Sequence, residues 1–231
     1  MKTIGMIGGM SWESSLEYYR IVNEEVHARL GGVHSAKCLI FSVDFAEIEE
    51  QQRHGEWDRA TQGMIDAAQA LERGGADFVV ICTNTMHKMA DEVEASVKIP
   101  LLHIADVAAQ EVRRLGLKKI GLLGTRFTME EAFYKKRLAE KFGLQVLIPN
   151  AADREIVHRV IYDELVLGKI VPPPKRNICA SSLVCRRRAV RASFWVVPRS
   201  GCWCSRRIAR CHSSTPPCSM PKQRSISPWH S

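Results

Sequence analysis

Beyond Glu164 the sequence has no aspartate or glutamate: all 25 acidic residues of the 231 lie at or before that position. This absence decides how the net charge of +8 is read. Residues 171–231 carry 12 of the 33 lysines and arginines, so the first 170 residues hold 21 basic against 25 acidic groups, a net charge of −4. A basic protein invites a nucleic-acid partner, but here the basicity belongs to the C-terminal stretch alone, and no nucleic acid is expected. Long apolar runs are lacking too. None could span a bilayer, and Met1–Gly9 has no signal-peptide layout. A cytoplasmic protein with reduced thiols and no membrane partner is therefore expected. Nucleotide fingerprints are missing: Gly5-x-x-Gly8-Gly9 lacks the G-x-G-x-x-G spacing, and no GxxxxGK(S/T) loop occurs. Of 8 cysteines only Cys38 and Cys82 lie in the body. Cys82 and His87, five apart, are too few for a zinc set, so no metal is expected.

What is present is a run of β-formers ending in chemistry, Phe78-Val-Val-Ile-Cys-Thr-Asn-Thr-Met-His87. The apolar half reads as a buried parallel strand. Thr83, Asn84 and Thr85 read as the turn that opens the next helix. Cys82 then sits between a strand's carboxyl end and a helix's amino end, where open α/β sheets bind small molecules. Free N–H groups and partial positive charge there would hold a carboxylate and favour a thiolate. A packed core cysteine is the alternative.

Elsewhere strands and helices alternate. Strands are expected at Ile4–Ile7, Lys37–Val43, Phe78–Cys82, Pro100–His103, Lys119–Gly124 and Leu144–Ile148. Helices are expected at Trp12–Leu30 (capped by Ser11), Asp58–Arg73, Ala105–Leu115, Met129–Phe142 and Ala152–Leu167. Glycines stop most of the helices, and the alternation implies α/β architecture with doubly wound parallel sheets. Thr3-Ile-Gly-Met-Ile-Gly-Gly echoes Lys119-Ile-Gly-Leu-Leu-Gly-Thr. Two halves built alike would place a cleft where their strand ends meet. The expected division is 1–100 with Cys82, 101–170 as an incomplete second domain, and 171–231 as a poorly ordered tail.

Three separated motifs, Gly8-Gly9-Met10-Ser11-Trp12-Glu13-Ser14, Cys82-Thr-Asn-Thr-Met-His87 and Leu123-Gly-Thr-Arg-Phe-Thr-Met129, resemble the aspartate/glutamate racemase family, in particular its bacterial broad-specificity amino-acid racemases. The resemblance runs from Met1 to about Gly168. It implies two pseudo-symmetric α/β domains with the active site between them, a small amino-acid substrate, no pyridoxal phosphate or other cofactor, and, as is common in the family, a homodimer. It also implies two cysteines facing each other across the substrate Cα, one taking a proton as thiolate and one giving a proton as thiol. Cys82 would be the first. Met10 would line the cleft, although it could equally be core. Thr83, Asn84 and Thr85 would cradle the carboxylate, with Thr125 and Thr128 matching them in the second half. Gln52, in a polar run otherwise read as a solvated face, would reach the substrate's side chain, with Arg53 as its rival. His87, His103 and Trp12 read as structural. Related members that isomerise maleate, racemise hydantoins or decarboxylate malonates offer a second enzyme reading. An inactive carboxylate-binding fragment is a third.

The family's second cysteine should lie in a Gly-Cys-Thr-Glu segment near position 195, and none occurs. A shifted reading frame takes the last base of one codon and the first two of the next. Trp195–Val196 then gives GGT, necessarily Gly, and Cys202–Trp203 necessarily gives Leu. With allowed codons elsewhere, Arg191 to Cys204 can encode Gly-Val-Ile-Leu-Gly-Cys-Thr-Glu-Ile-Gly-Leu-Leu-Val, its cysteine across Val196 and Val197. The tail thus reads as out of frame. Its Cys202-x-Cys204 and arginine runs then carry no metal or nucleic-acid function, and racemase activity should be impaired.

Overall fold

The structure, a computed structural model, describes residues 1–168 and the backbone of residues 192–195. Two three-stranded parallel sheets organise it. In the first, β1 (Ile4–Gly8) lies between β2 (Cys38–Ser42) and β3 (Phe78–Ile81). Helix α1 (Trp12–Leu30) connects β1 to β2, and α2 (Phe45–His54) and α3 (Trp57–Arg73) lead to β3. A 3-10 turn at Thr85–Met89 and the short α4 (Ala90–Ala95) come next. In the second sheet, β4 (Lys119–Leu123) lies between β5 (Gln145–Leu147) and β6 (Ala192–Trp195). Helices α5 (Ile104–Arg114), α6 (Arg126–Glu130), α7 (Ala132–Phe142) and α8 (Ala151–Arg159) surround it.

The apolar strand interiors explain this order. Ile7, Val79 and Ile81 are fully buried and pack with Met64, Ala67 and Ala68 of α3 into the first core. Ile120, Leu122, Tyr134 and Leu138 build the second with Ala105 and Ala109 of α5. Gly5 is required where β1 passes under α3, because a Cβ there would stand 2.9 Å from that of Ala76. Gly9 turns the chain out of β1 at φ +93, with Val43 too close for any side chain.

The internal echo is a structural equivalence. Ile4 pairs with Phe78 and Ile7 with Ile81, while Ile120 pairs with Ala192 and Leu123 with Trp195. Matching Ile4 to Ile120 therefore matches Ile81 to Trp195.

Several expectations need correction. Pro100–His103 is not a strand but a single parallel bridge of Leu101 to Val79. The helix expected at Met129–Phe142 breaks at Glu131, whose extended ψ of 159 ends α6 and starts α7. The helix expected at Ala152–Leu167 is α8, then a π turn at Val160–Glu164 and a 3-10 turn at Leu165–Leu167. The polar run around Gln52 is helical and forms α2. Ser11 precedes α1 but makes no side-chain cap; its carbonyl instead accepts from the Ser14 and Ser15 hydroxyls. Four residues of the expected tail form β6. The tail cysteines and arginine runs lie outside the described residues.

Candidate functional site

At the carboxyl ends of the strands, a cleft partly open to solvent lies between the two sheets. All seven substrate-binding candidates line it: Met10 after β1, Gln52 on α2, Thr83, Asn84 and Thr85 after β3, and Thr125 and Thr128 after β4. Hydrogen bonds join its two sides. The Thr85 and Thr125 hydroxyls are 2.9 Å apart, and Thr125 is 3.1 Å from the Thr128 hydroxyl. The Tyr134 hydroxyl donates to Asn84 Oδ1 at 3.0 Å. The Tyr162 hydroxyl donates to Gln52 Oε1 at 2.8 Å, while Gln52 Nε2 faces Met86 Sδ. Farther out, Lys88 pairs with Glu131 at 2.7 Å and lies over the Trp57 ring.

Gln52 is therefore no solvated face: α2 carries it inward beside Ile48, and both are buried. Arg53, its rival, points outward with 62% of its side chain exposed and only a 4.0 Å approach to Glu49. Trp12 is 60% exposed and does not line the cleft, so neither packing nor stacking describes it.

Cys82 comes directly after β3, its N–H bonded to the Ile7 carbonyl at 2.9 Å and its carbonyl accepting from the Ser14 hydroxyl at 3.2 Å. It is 1% exposed and stands behind the cleft wall rather than on it. Burial pushes its thiol up to about 12, the reverse of the lowered value expected for a helix amino terminus. The physical reason lies in the chain path. Residues 82–84 are bends, and they lead into a five-residue 3-10 turn rather than an α-helix aimed at the sulfur. The thiol points to the Val80 carbonyl at 4.0 Å, an acceptor that favours the protonated form. Burial also raises Tyr18, with charge on Cys82 adding to the effect.

His87 and His103 are structural. His87 Nδ1 lies 2.7 Å from the Thr83 carbonyl, so that nitrogen carries the proton, and Nε2 accepts from Ile104 N–H. His103 Nδ1 accepts from Ala105 N–H and caps α5. Burial lowers His87 to about 4 and His103 to about 3, so both rings are neutral.

The cleft has further walls beyond the candidate site residues. Phe45, Ile161, Tyr162, Leu165 and Val166 make an apolar side, and Ser11, Glu13 and Ser14 a polar one. Tyr162 and Val166 come from the π and 3-10 turns, which no apolar periodicity signals. Glu13 belongs to the Gly8–Ser14 motif, but nothing in its spacing marks it out as a cleft residue. Among the described residues no three histidines, cysteines or acids gather to hold a metal, and no helix is long and apolar enough to cross a membrane.

Comparison with known proteins agrees with this architecture. A crystal structure from Yersinia pestis, named for the Asp/Glu racemases, superposes with TM-score 0.78 at 48% identity over 85% of each chain. An aspartate racemase homologue from Pyrococcus horikoshii OT3 gives TM-score 0.73 at 32% identity over 86% of each chain. The broad specificity amino-acid racemase RacX of Bacillus subtilis (strain 168) is 35% identical over 138 residues, which span 58% of this chain and 60% of that protein. The Asp/Glu/Hydantoin racemase family model matches residues 7–179, and the chain belongs to that family.

Proposed function

We propose that the cleft binds a small amino acid and that the ancestral reaction is racemisation at Cα by proton exchange between two thiols, with Cys82 as one of them. The observation that carries this reading is the convergence of all seven substrate-binding candidates from both sheets onto one pocket, with Cys82 buried behind the wall that Thr83 forms. A Cα–H beside a carboxylate is a very weak acid, so the carbanion formed on its removal needs electrostatic support. The hydroxyls of Thr85, Thr125 and Thr128 and the amide of Asn84 are suited to hold the carboxylate. Gln52 and Tyr162 face the space left for the side chain.

Inversion needs an acid and a base on opposite faces of Cα. Cys82, held as a thiol, is suited to give a proton. Its counterpart is missing. The residue after Ile81 is Cys82, and the residue after Trp195, which matches Ile81, is Val196. The shifted-frame cysteine falls across Val196 and Val197. That coincidence of register supports both the frameshift reading and the loss of the opposing thiol. The chain as written is thus impaired, and binding of a carboxylate without turnover is the second reading, favoured by the deeply buried thiol.

The test is deuterium exchange at Cα of L- and D-aspartate and L- and D-glutamate, read by proton NMR. The chain as written should show no useful exchange with inversion. A frame-restored chain should, and Cys82→Ala should abolish it there. Racemisation by the chain as written that survives Cys82→Ala would refute both mechanism and assignment.

A further inference from the structure

Glu13 is the second residue of α1, on the wall of the cleft, and is 2% exposed. Its Oε2 is buried and has no hydrogen-bond partner. An acid in the first turn of a helix is ordinary, because it complements the helix dipole. That role is served by an exposed side chain, however, and does not account for a carboxylate oxygen buried unpaired. Burying a carboxylate oxygen without a partner is costly. No lysine, arginine or histidine lines the cleft among the described residues, so the protein supplies no counter-ion there.

We propose that the Glu13 carboxylate receives the α-ammonium group of the amino acid bound in the cleft. This rests on the reading of the cleft as an amino-acid site and adds the group that distinguishes an amino acid from a plain carboxylate. Position decides which ammonium is meant. The next residue, Ser14, donates its hydroxyl to the Cys82 carbonyl at 3.2 Å, which ties this first turn of α1 to the segment carrying the reacting cysteine, and Glu13 lines the cleft together with Thr83, the residue that follows it. The substrate Cα must approach that cysteine, and the α-ammonium is bonded to Cα. A side-chain amine would lie toward Gln52 and Tyr162. Glu13 is here a positioning residue for substrate: holding the ammonium protonated keeps a positive charge next to the carbon that becomes negative.

The experiment is calorimetric titration of the chain as it exists, with two pairs of probes. L-Glutamate is compared with glutarate, which lacks only the amino group. L-Lysine is compared with 6-aminohexanoate, which keeps the side-chain amine and lacks the α-amine. For each pair the compound carrying the α-ammonium should bind roughly tenfold tighter or better. Glu13→Gln, which keeps the shape and removes the charge, should erase that preference while leaving the des-amino partners unchanged. Equal binding within both pairs, unaffected by Glu13→Gln, would overturn the role of Glu13 and leave the cleft reading intact. 6-Aminohexanoate binding as tightly as lysine, with both weakened by Glu13→Gln, would overturn the α-ammonium assignment. Binding of none of the four would overturn the amino-acid site and this inference with it.

Discussion

Acid should weaken this fold well above the pH at which carboxylates protonate, and His87 gives the size of the effect. Its ring is 3% exposed, donates from Nδ1 to Thr83 and accepts at Nε2 from Ile104. Burial lowers it from an ordinary 6.5 to about 4, with Arg137 lowering it further and the Thr83 bond and Asp106 opposing. Between those values the unfolded chain binds a proton that the folded protein refuses. The stabilisation is therefore complete above about pH 6.5 and is lost as pH falls through that window toward 4. At roughly 1.4 kcal/mol per unit, linkage gives a loss of about 2 kcal/mol from this one ring between about pH 7.5 and pH 5. His103, 4.4 Å away, is lowered by burial and by His87 itself, so it steepens the same loss without adding independently. Asp106 contributes elsewhere. Burial works to raise it, but its bonds to Arg137 and Lys141 hold it at about 2, so its contribution fades only below its ordinary 3.8. The assay is urea unfolding at about pH 5 and 7.5 for the wild type and His87→Gln, whose amide can make both hydrogen bonds without titrating. The wild type should lose about 2 kcal/mol more than the variant over that interval. Equal losses would refute the buried, neutral histidine.

The same geometry sets three other outcomes. Cys82, buried and pushed up to about 12, should resist iodoacetamide in the native protein and react once unfolded; rapid native modification at neutral pH would show an open, activated thiol. Gly9→Ala would drive a Cβ into the Val43 carbonyl oxygen at φ +93, and a loss of roughly 3 kcal/mol or more is expected; a melting temperature close to that of the wild type would contradict the turn. Removing residues 169–231 takes away β6 and bares one edge of β4. The truncated chain should melt lower and aggregate more readily, and an unchanged melt would mean that β6 contributes nothing.

The legibility of each element in the sequence depends on the strength of its local punctuation. Helix α1 is plain because Gly8-Gly9 and Gly31-Gly32 bracket it, and β1 and β4 because each is a short apolar run closed by glycine. Helix α2 is hidden because only Ile48 and Gln52 are buried on it, too few for an apolar stripe. Its real signals are the ends: Asp44 accepting from Ala46 N–H and Gly55 in the left-handed conformation. In the site, the polar residues after each strand are legible because strand ends in α/β sheets converge. The state of Cys82 is not legible, since a sequence shows a cysteine after a strand but not which way the next three residues bend. The partnerless oxygen of Glu13 is likewise a property of packing around it.

The 2.9 Å contact between Thr85 and Thr125 has a consequence for every binding measurement on this protein. These hydroxyls, which would greet a carboxylate, are hydrogen-bonded to each other across the gap. One of the two donates and the other accepts, so an incoming carboxylate finds one of these two donors already committed and must break that bond to engage both. Affinity for carboxylates is then an exchange equilibrium, set by how much better an anion serves two threonines than they serve one another. Thr125→Val would remove the rival and one donor at once, so its effect on binding should be smaller than the number of lost ligand contacts implies. A ligand that wedges the pair apart would also loosen one of the bonds that span the two sheets, so the cleft would widen as it fills.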